Sequence, residues 1–281
     1  MHLGQVKVEG STYAAVFENG MARPIPSHSM IDLIRRSETQ SIPLAELAKQ
    51  LAARHADPLP PVLPVTPPEV WACGCTYQAS SSFRDAEHGT REGMYAYVCR
   101  EPRPEIFFKG TARVCVASGQ AIGIRADSKF TAPEPELALV LGSRGRIAGY
   151  TLANDVSAWD IERENALYLP QSKVYDACCS LGPVMVTADQ LPDPYKITIS
   201  CAIQRGDSTI FQGEVSTAKL QRRFETLIEY LRRSNHVPPG TVVLTGTGII
   251  VPQDAALAPG DIVSIRVDEI GELTNHAVIV E

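Results

Sequence analysis

The sequence predicts an α+β protein built mostly of strands, with a small α/β unit at its N-terminus. Three observations carry that expectation. Short apolar or alternating runs recur through most of the chain after residue 105. Few segments between them hold helical spacing, so no strand–helix–strand repeat emerges. Six prolines between Asp57 and Val70 separate a hairpin-and-helix start from the strand-rich remainder, because no helix or central strand tolerates that density.

Taken in order, "QVKVEG" and "TYAAVFENGMARPI" alternate like strands, and Asn19-Gly20 is a tight-turn signal. Leu44, Leu47, Ala48 and Leu51 recur at helical spacing and predict a helix from about Ser41 to His55. Residues 58–69 read as an extended linker, which sets an N-terminal domain over 1–57 and a main domain over 70–281. In the main domain "EIFFKG", "ELALVLG", "GYTLAND", "LGPVMVT", "KITISCAIQ", "TVVLTGTG" and "DIVSIRV" are strand candidates bounded by Gly, Pro, Asp or Asn. One helix interrupts them. Leu220, Phe224, Leu227, Ile228 and Leu231 form its apolar stripe, Ser216 or Thr217 caps its start, and Asn235 ends it.

Composition narrows the function classes. With 44% hydrophobic and 21% charged residues, the 281-residue chain has enough material for a core without disulfides or a structural metal. A net charge of -6 and the absence of a long Lys/Arg run argue against a nucleic-acid partner. No apolar stretch reaches membrane-spanning length and the start lacks a signal-peptide layout, so no membrane role and a cytoplasmic location are expected. The seven cysteines include a Cys73-Gly-Cys75 pair and the adjacent Cys178 and Cys179. Such spacing does not form a secreted disulfide framework or a zinc site, and they read as small core residues.

The chemistry concentrates in "PEPELALVLG". On a strand, Glu134 and Glu136 point to one face, and two close carboxylates need a proton or a cation between them. A solvated pair at a strand's start is the other reading that spacing allows. "GYTLANDVSAWD" places Asp155 at the end of the next run. A hairpin turning at "SRGRIAG" brings Asp155 beside the glutamates. Three oxygen ligands plus waters and a chelating substrate suit Mg²⁺ or Mn²⁺. Asp160, Glu162 and Glu164 read as a solvated helix or loop.

Together "EPELALVLG", "GYTLANDVSAWD", "KVYDACCSLGPVMV", "VVLTGTGIIVP" and "PGDIVSIRVDEIGELTN" resemble, in order, the fumarylacetoacetate hydrolase family, over roughly Pro68 to the C-terminus. The resemblance implies a mixed β-roll and a divalent metal, usually Mg²⁺ with Mn²⁺ or Ca²⁺ as substitutes, held by Glu134, Glu136 and Asp155. It places an active-site lysine at Lys173 and a substrate-contacting threonine at Thr247. It also implies a 2-oxo acid substrate and a homodimer or homotetramer.

One departure redirects the expected reaction. Hydrolytic members carry a histidine three positions after a tyrosine near the start of this domain, and here Ser80 follows Tyr77 at that distance. Without it, a hydrolase lacks a base for its water. "REPRPEIFFKG", "DSKFTAPEPELALVL" and "ENALYLPQSKVYDACCSLGP" are instead similar to the family's 2-keto-3-deoxy-pentonate dehydratases. The expectation is therefore dehydration of a 2-keto-3-deoxy-pentonate to 2,5-dioxopentanoate. In it Lys173 serves as base or only binds the substrate carboxylate, and Glu92 or Glu87 serves as acid. Ser80, Arg84, Lys109 and Thr247 contact the substrate. A polar stretch from Ser80 to Tyr97, containing His88, suits a lid. A C–C hydrolase or decarboxylase on the same metal site, and a non-catalytic 2-oxo acid binding protein, are the competing readings.

Overall fold

A computed structural model gives the structure, which describes residues 1–78, 94–191 and 193–281. Its strands, in chain order, begin with β1 His2–Val8, β2 Ser11–Glu18, β3 Met21–Pro24, β4 Val70–Gly74, β5 Glu105–Gly110, β6 Cys115–Ala117, β7 Ala121–Arg125 and β8 Thr131–Ala132. They continue with β9 Pro135–Leu141, β10 Ile147–Asp155, β11 Ser157–Ala158, β12 Cys179–Thr187, β13 Thr198–Arg205, β14 Ser208–Ser216, β15 Val242–Leu244, β16 Ile262–Val267 and β17 Gly271–Val280.

Among the described residues, one sheet runs β3-β2-β1-β12-β10-β9-β15-β4-β5, with β6 added to β12. A second runs β14-β13-β16-β17-β7. The mostly-β architecture is the one the sequence predicts. The N-terminal strands are continuous with the main sheet: β1 pairs with β12, His2 opposite Val186. Asn19 and Gly20 take positive φ at the β2–β3 turn, as that turn type requires.

β9 shows why the sheet is buried on both sides. Leu137, Leu139 and Leu141 join the core shared with Ile199, Ile203, Val263 and Ile265 of the second sheet. Ala138 and Val140 join the core under the N-terminal helices, with Leu33, Ile34 and Leu47. The uninterrupted apolar run "LALVL" serves two packed faces.

Two helix readings need correction, and one helix was not expected. The expected helix over Ser41–His55 is Leu44–Leu51, since Pro43 occupies the N-cap and Ala52 returns to extended backbone. Before it lies Met30–Gln40, started by a reciprocal cap between Ser29 and Asp32. The long helix expected from Ser216 covers only Phe224–Arg232. Its predicted cap, Ser216, caps a single 3₁₀ turn at Thr217–Lys219 instead. Leu220 leaves the stripe to bridge Tyr77. Arg222 donates to the carbonyls of Val98, Cys99, Glu101 and Pro102, tying down the C-terminal end of helix Met94–Arg100.

Candidate active site and metal centre

The β9–β10 hairpin forms as expected, with Glu136 opposite Ala153 and Pro135 opposite Asn154. Beyond the last pair, Asp155 N–H donates to Glu134 O at 3.0 Å. This register and strand alternation put Glu134, Glu136 and Asp155 on one face. Their ligand oxygens lie within 4.8 Å of one another. All three residues are buried, at 2%, 1% and 1% exposure, so the solvated-pair reading falls. Asn154 accepts from Glu134 N–H through Oδ1 at 3.0 Å and fixes the turn of chain into the strand.

Two fully buried lysines face the carboxylates. Lys173, closing helix Leu169–Lys173, donates to Glu134 Oε1 at 2.9 Å, to Ser157 Oγ at 2.7 Å and to Asp155 Oδ2 at 3.4 Å. Lys109 Nζ stands 2.5 Å from Asp155 Oδ1 and 3.0 Å from Val156 O. β5 lies four places from β10 in the strand order, so this contact requires the sheet to curl on itself. Trp159 Nε1 donates to Glu134 Oε1 at 2.6 Å, and Gly246 N–H donates to Glu136 Oε2. Gly246 has φ +93, and a Cβ there would collide with Thr76 Oγ1. Only glycine brings that N–H to the carboxylate.

Three carboxylates against two ammonium groups leave one negative charge uncompensated in a buried place. Burial, then Asp155 and Glu134, push the Glu136 carboxyl well above its usual range. The Lys109 ammonium is penalised by burial, but Asp155 raises its pKa overall. An all-oxygen trio with surplus negative charge fits a hard divalent cation. With the cation bound the surplus becomes positive, and a substrate carboxylate neutralises it.

A small cleft opens over this group. Glu134, Asp155 and Lys173 line it together with Gly74, Cys75, Phe107 and Thr247. Thr247 was expected at the site and is there. Lys109, expected to contact substrate, is not among the described residues that line the cleft; its ammonium stands against Asp155. Ser80, Arg84, Glu87, Glu92 and His88 lie outside the described residues. Glu162, read as solvated, is 3% exposed because helix Trp159–Glu164 packs inward there. A larger depression between Ser37, Glu38 and Arg146 holds no comparable set of buried charges.

Sequence reasoning passed over Glu105, the first residue of "EIFFKG". Its Oε2 accepts from Cys75 Sγ at 3.3 Å, and its carboxyl occupies the space a side chain on Gly74 would fill. The signal available was Gly74 itself, a glycine inside a strand marking a close approach.

Comparison with known proteins adds the chemical context. Residues 86–278 match the family model for the C-terminal domain of fumarylacetoacetate (FAA) hydrolase. The chain is 46% identical to 2-dehydro-3-deoxy-D-arabinonate dehydratase of Saccharolobus solfataricus over 213 residues, covering 75% of this chain and 72% of that one. It is 44% identical to a probable 2-keto-3-deoxyxylonate dehydratase of Haloferax volcanii over 227 residues, covering 81% and 76%. A solved structure of 2-keto-3-deoxy-D-arabinonate dehydratase complexed with magnesium and 2,5-dioxopentanoate superposes with a TM-score of 0.84 at 37% identity, covering both chains completely.

Proposed function

The chain belongs to the fumarylacetoacetate hydrolase family, and we propose that it is a Mg²⁺-dependent dehydratase converting a 2-keto-3-deoxy-pentonate to 2,5-dioxopentanoate. The observation that carries this reading is the buried trio Glu134, Glu136 and Asp155, with Lys173 beside it at the floor of a cleft. Support for the substrate comes from the arabinonate and xylonate dehydratases that the chain resembles.

Glu134, Glu136 and Asp155 would hold the Mg²⁺, whose Lewis acidity stabilises charge that builds on the C2 oxygen as a C3 proton leaves. Lys173 is the base for that proton. Lys173 lines the cleft, and Ser157 and Glu134 orient its Nζ. A lysine acts this way only as the neutral amine. The C4–O bond then breaks, and the departing hydroxide takes a proton to leave as water. Glu105, which accepts from Cys75 of the cleft lining, is one candidate to supply it. Glu92 and Glu87 are the alternatives from the sequence. A C5 proton then leaves as one returns to C3, and the resulting C4=C5 enol takes a proton at C4 to give the aldehyde of the product. Thr247 and the Gly74–Cys75 backbone bound the substrate, and Ser80 and Arg84 are further candidates for contacting it. The working form is taken to be a cytoplasmic homodimer or homotetramer; among the described residues no helix is long and apolar enough to cross a membrane.

The test is Mg²⁺-dependent turnover of 2-keto-3-deoxy-arabinonate and -xylonate, with products identified by mass. Dehydration removes one water and keeps every carbon. A product with fewer carbons would replace this reading with hydrolysis or decarboxylation. Saturable binding without turnover would replace it with a binding protein.

A further inference from the structure

We infer that Lys109 sets the metal selectivity of this site by holding one oxygen of Asp155, so that the carboxylate offers a divalent cation only the other. The inference rests on the metal reading above. Lys109 has no exposed surface. Its Nζ stands 2.5 Å from Asp155 Oδ1 and donates to Val156 O at 3.0 Å. The Tyr175 ring lies 5.9 Å away on another side. The ammonium has donors only; one is given to Val156 O, and its charge stands against Asp155 Oδ1 as an ion pair. Asp155 is equally constrained. Its backbone pairs with Cys179 on one side, and its N–H is held by Glu134 O on the other. Rotating the carboxylate to present both oxygens would strip Lys109 of its counter-charge in a fully buried place. Oδ2, which accepts only the long 3.4 Å bond from Lys173, is the oxygen left to the cation.

This arrangement separates two cations of equal charge. Mg²⁺ takes a near-ideal octahedron of single oxygens at roughly 2.0–2.1 Å, whereas Ca²⁺ takes six to eight ligands at roughly 2.3–2.6 Å and readily accepts both oxygens of one carboxylate. Keeping Oδ1 on Lys109 withholds a ligand that Ca²⁺ would use and Mg²⁺ would not. The net charge of the site shifts both affinities together. The ratio between them isolates the number of oxygens offered.

Competitive titration of Mg²⁺ and Ca²⁺ against wild type and Lys109→Met reads that ratio without reference to turnover. Ca²⁺ should gain on Mg²⁺ in the variant by about tenfold, the lower end of what loss of an outer partner of a metal ligand produces. Affinities that change in equal proportion would show that Lys109 acts only through charge or packing, and would overturn the assignment while leaving the metal reading intact. Wild type that binds neither cation overturns both. Should Lys109→Met not fold, a crystal structure of wild type with Ca²⁺ decides. The expected result is Asp155 bound through Oδ2 alone, with Lys109 still on Oδ1. Both oxygens on Ca²⁺ would refute it.

Discussion

Among the described residues, the buried trio on one sheet and the buried Asp261 on the other make a contrast, and only the trio looks like a site. Asp261, leading into β16, is 1% exposed, as deeply buried as Asp155. Arg205 grips it through Nε at 2.8 Å and a terminal nitrogen at 2.7 Å, and Ala258 N–H adds a third bond at 2.8 Å. One carboxylate meets one guanidinium in a two-pronged contact, and the charges cancel. Glu134, Glu136 and Asp155 share two lysines and carry a charge too many, and Glu134 and Asp155 line a cleft. Burial of charge is common to both groups. Imbalance beside an opening is what marks the second as chemical.

The comparison can be broken by substitution, beginning with the largest effect. Glu136→Ala should lower Mg²⁺-dependent turnover by about 10³-fold, since several kcal/mol of charge stabilisation goes with the metal and each ~1.4 kcal/mol is tenfold. Full activity after this change and chelator treatment would remove the trio from the mechanism. Lys173→Met should cost about 10²-fold or more in kcat, the usual contribution of a general base, with Mg²⁺ affinity retained in calorimetry. Unchanged turnover would leave Lys173 without a catalytic part.

Asp261→Ala tests the other half. Removing the carboxylate unpairs Arg205, whose side chain is 43% exposed, so water offsets part of the loss. A drop of about 2 kcal/mol in unfolding free energy is expected, in the range for unpairing a charged hydrogen bond. It should appear in the urea midpoint, with kcat/KM of the folded protein unchanged. Lost activity at full stability would erase the distinction between the two groups.

The smallest effect is a pH dependence. Glu136 is raised well above its ordinary value of 4.5 in the fold, so above that pH the native state binds more protons than the unfolded chain. Stability of the metal-free protein should therefore fall as pH rises from the ordinary glutamate range towards the raised native value. Saturating Mg²⁺ should flatten that slope by taking the proton's place. Thermal melts across pH, with and without Mg²⁺, check it. A metal-free protein that gains stability over this window would contradict the charge count.

The sequence by itself determined the mostly-β character and the β9–β10 hairpin, because strand alternation and a short turn are local and bring residues 134–155 together; for the trio it left a cation site and a solvated pair both open, and only the motif resemblance favoured the metal. It also placed Lys173 and Thr247 through motif resemblance, which composition and spacing could not supply. Tertiary structure alone decided the rest. Lys109 reaches Asp155 only because the sheet curls, and Glu105 reaches Cys75 only through the β4–β5 pairing. The apolar stripe from Leu220 to Leu231 was real, but Leu220 was claimed by Tyr77 and the helix started later. Glu162 is buried by the packing of its helix, a contact its own segment does not encode. Local periodicity sets which face a residue takes. What that face meets depends on strands distant in sequence, and there the balance of charge that makes the site was settled.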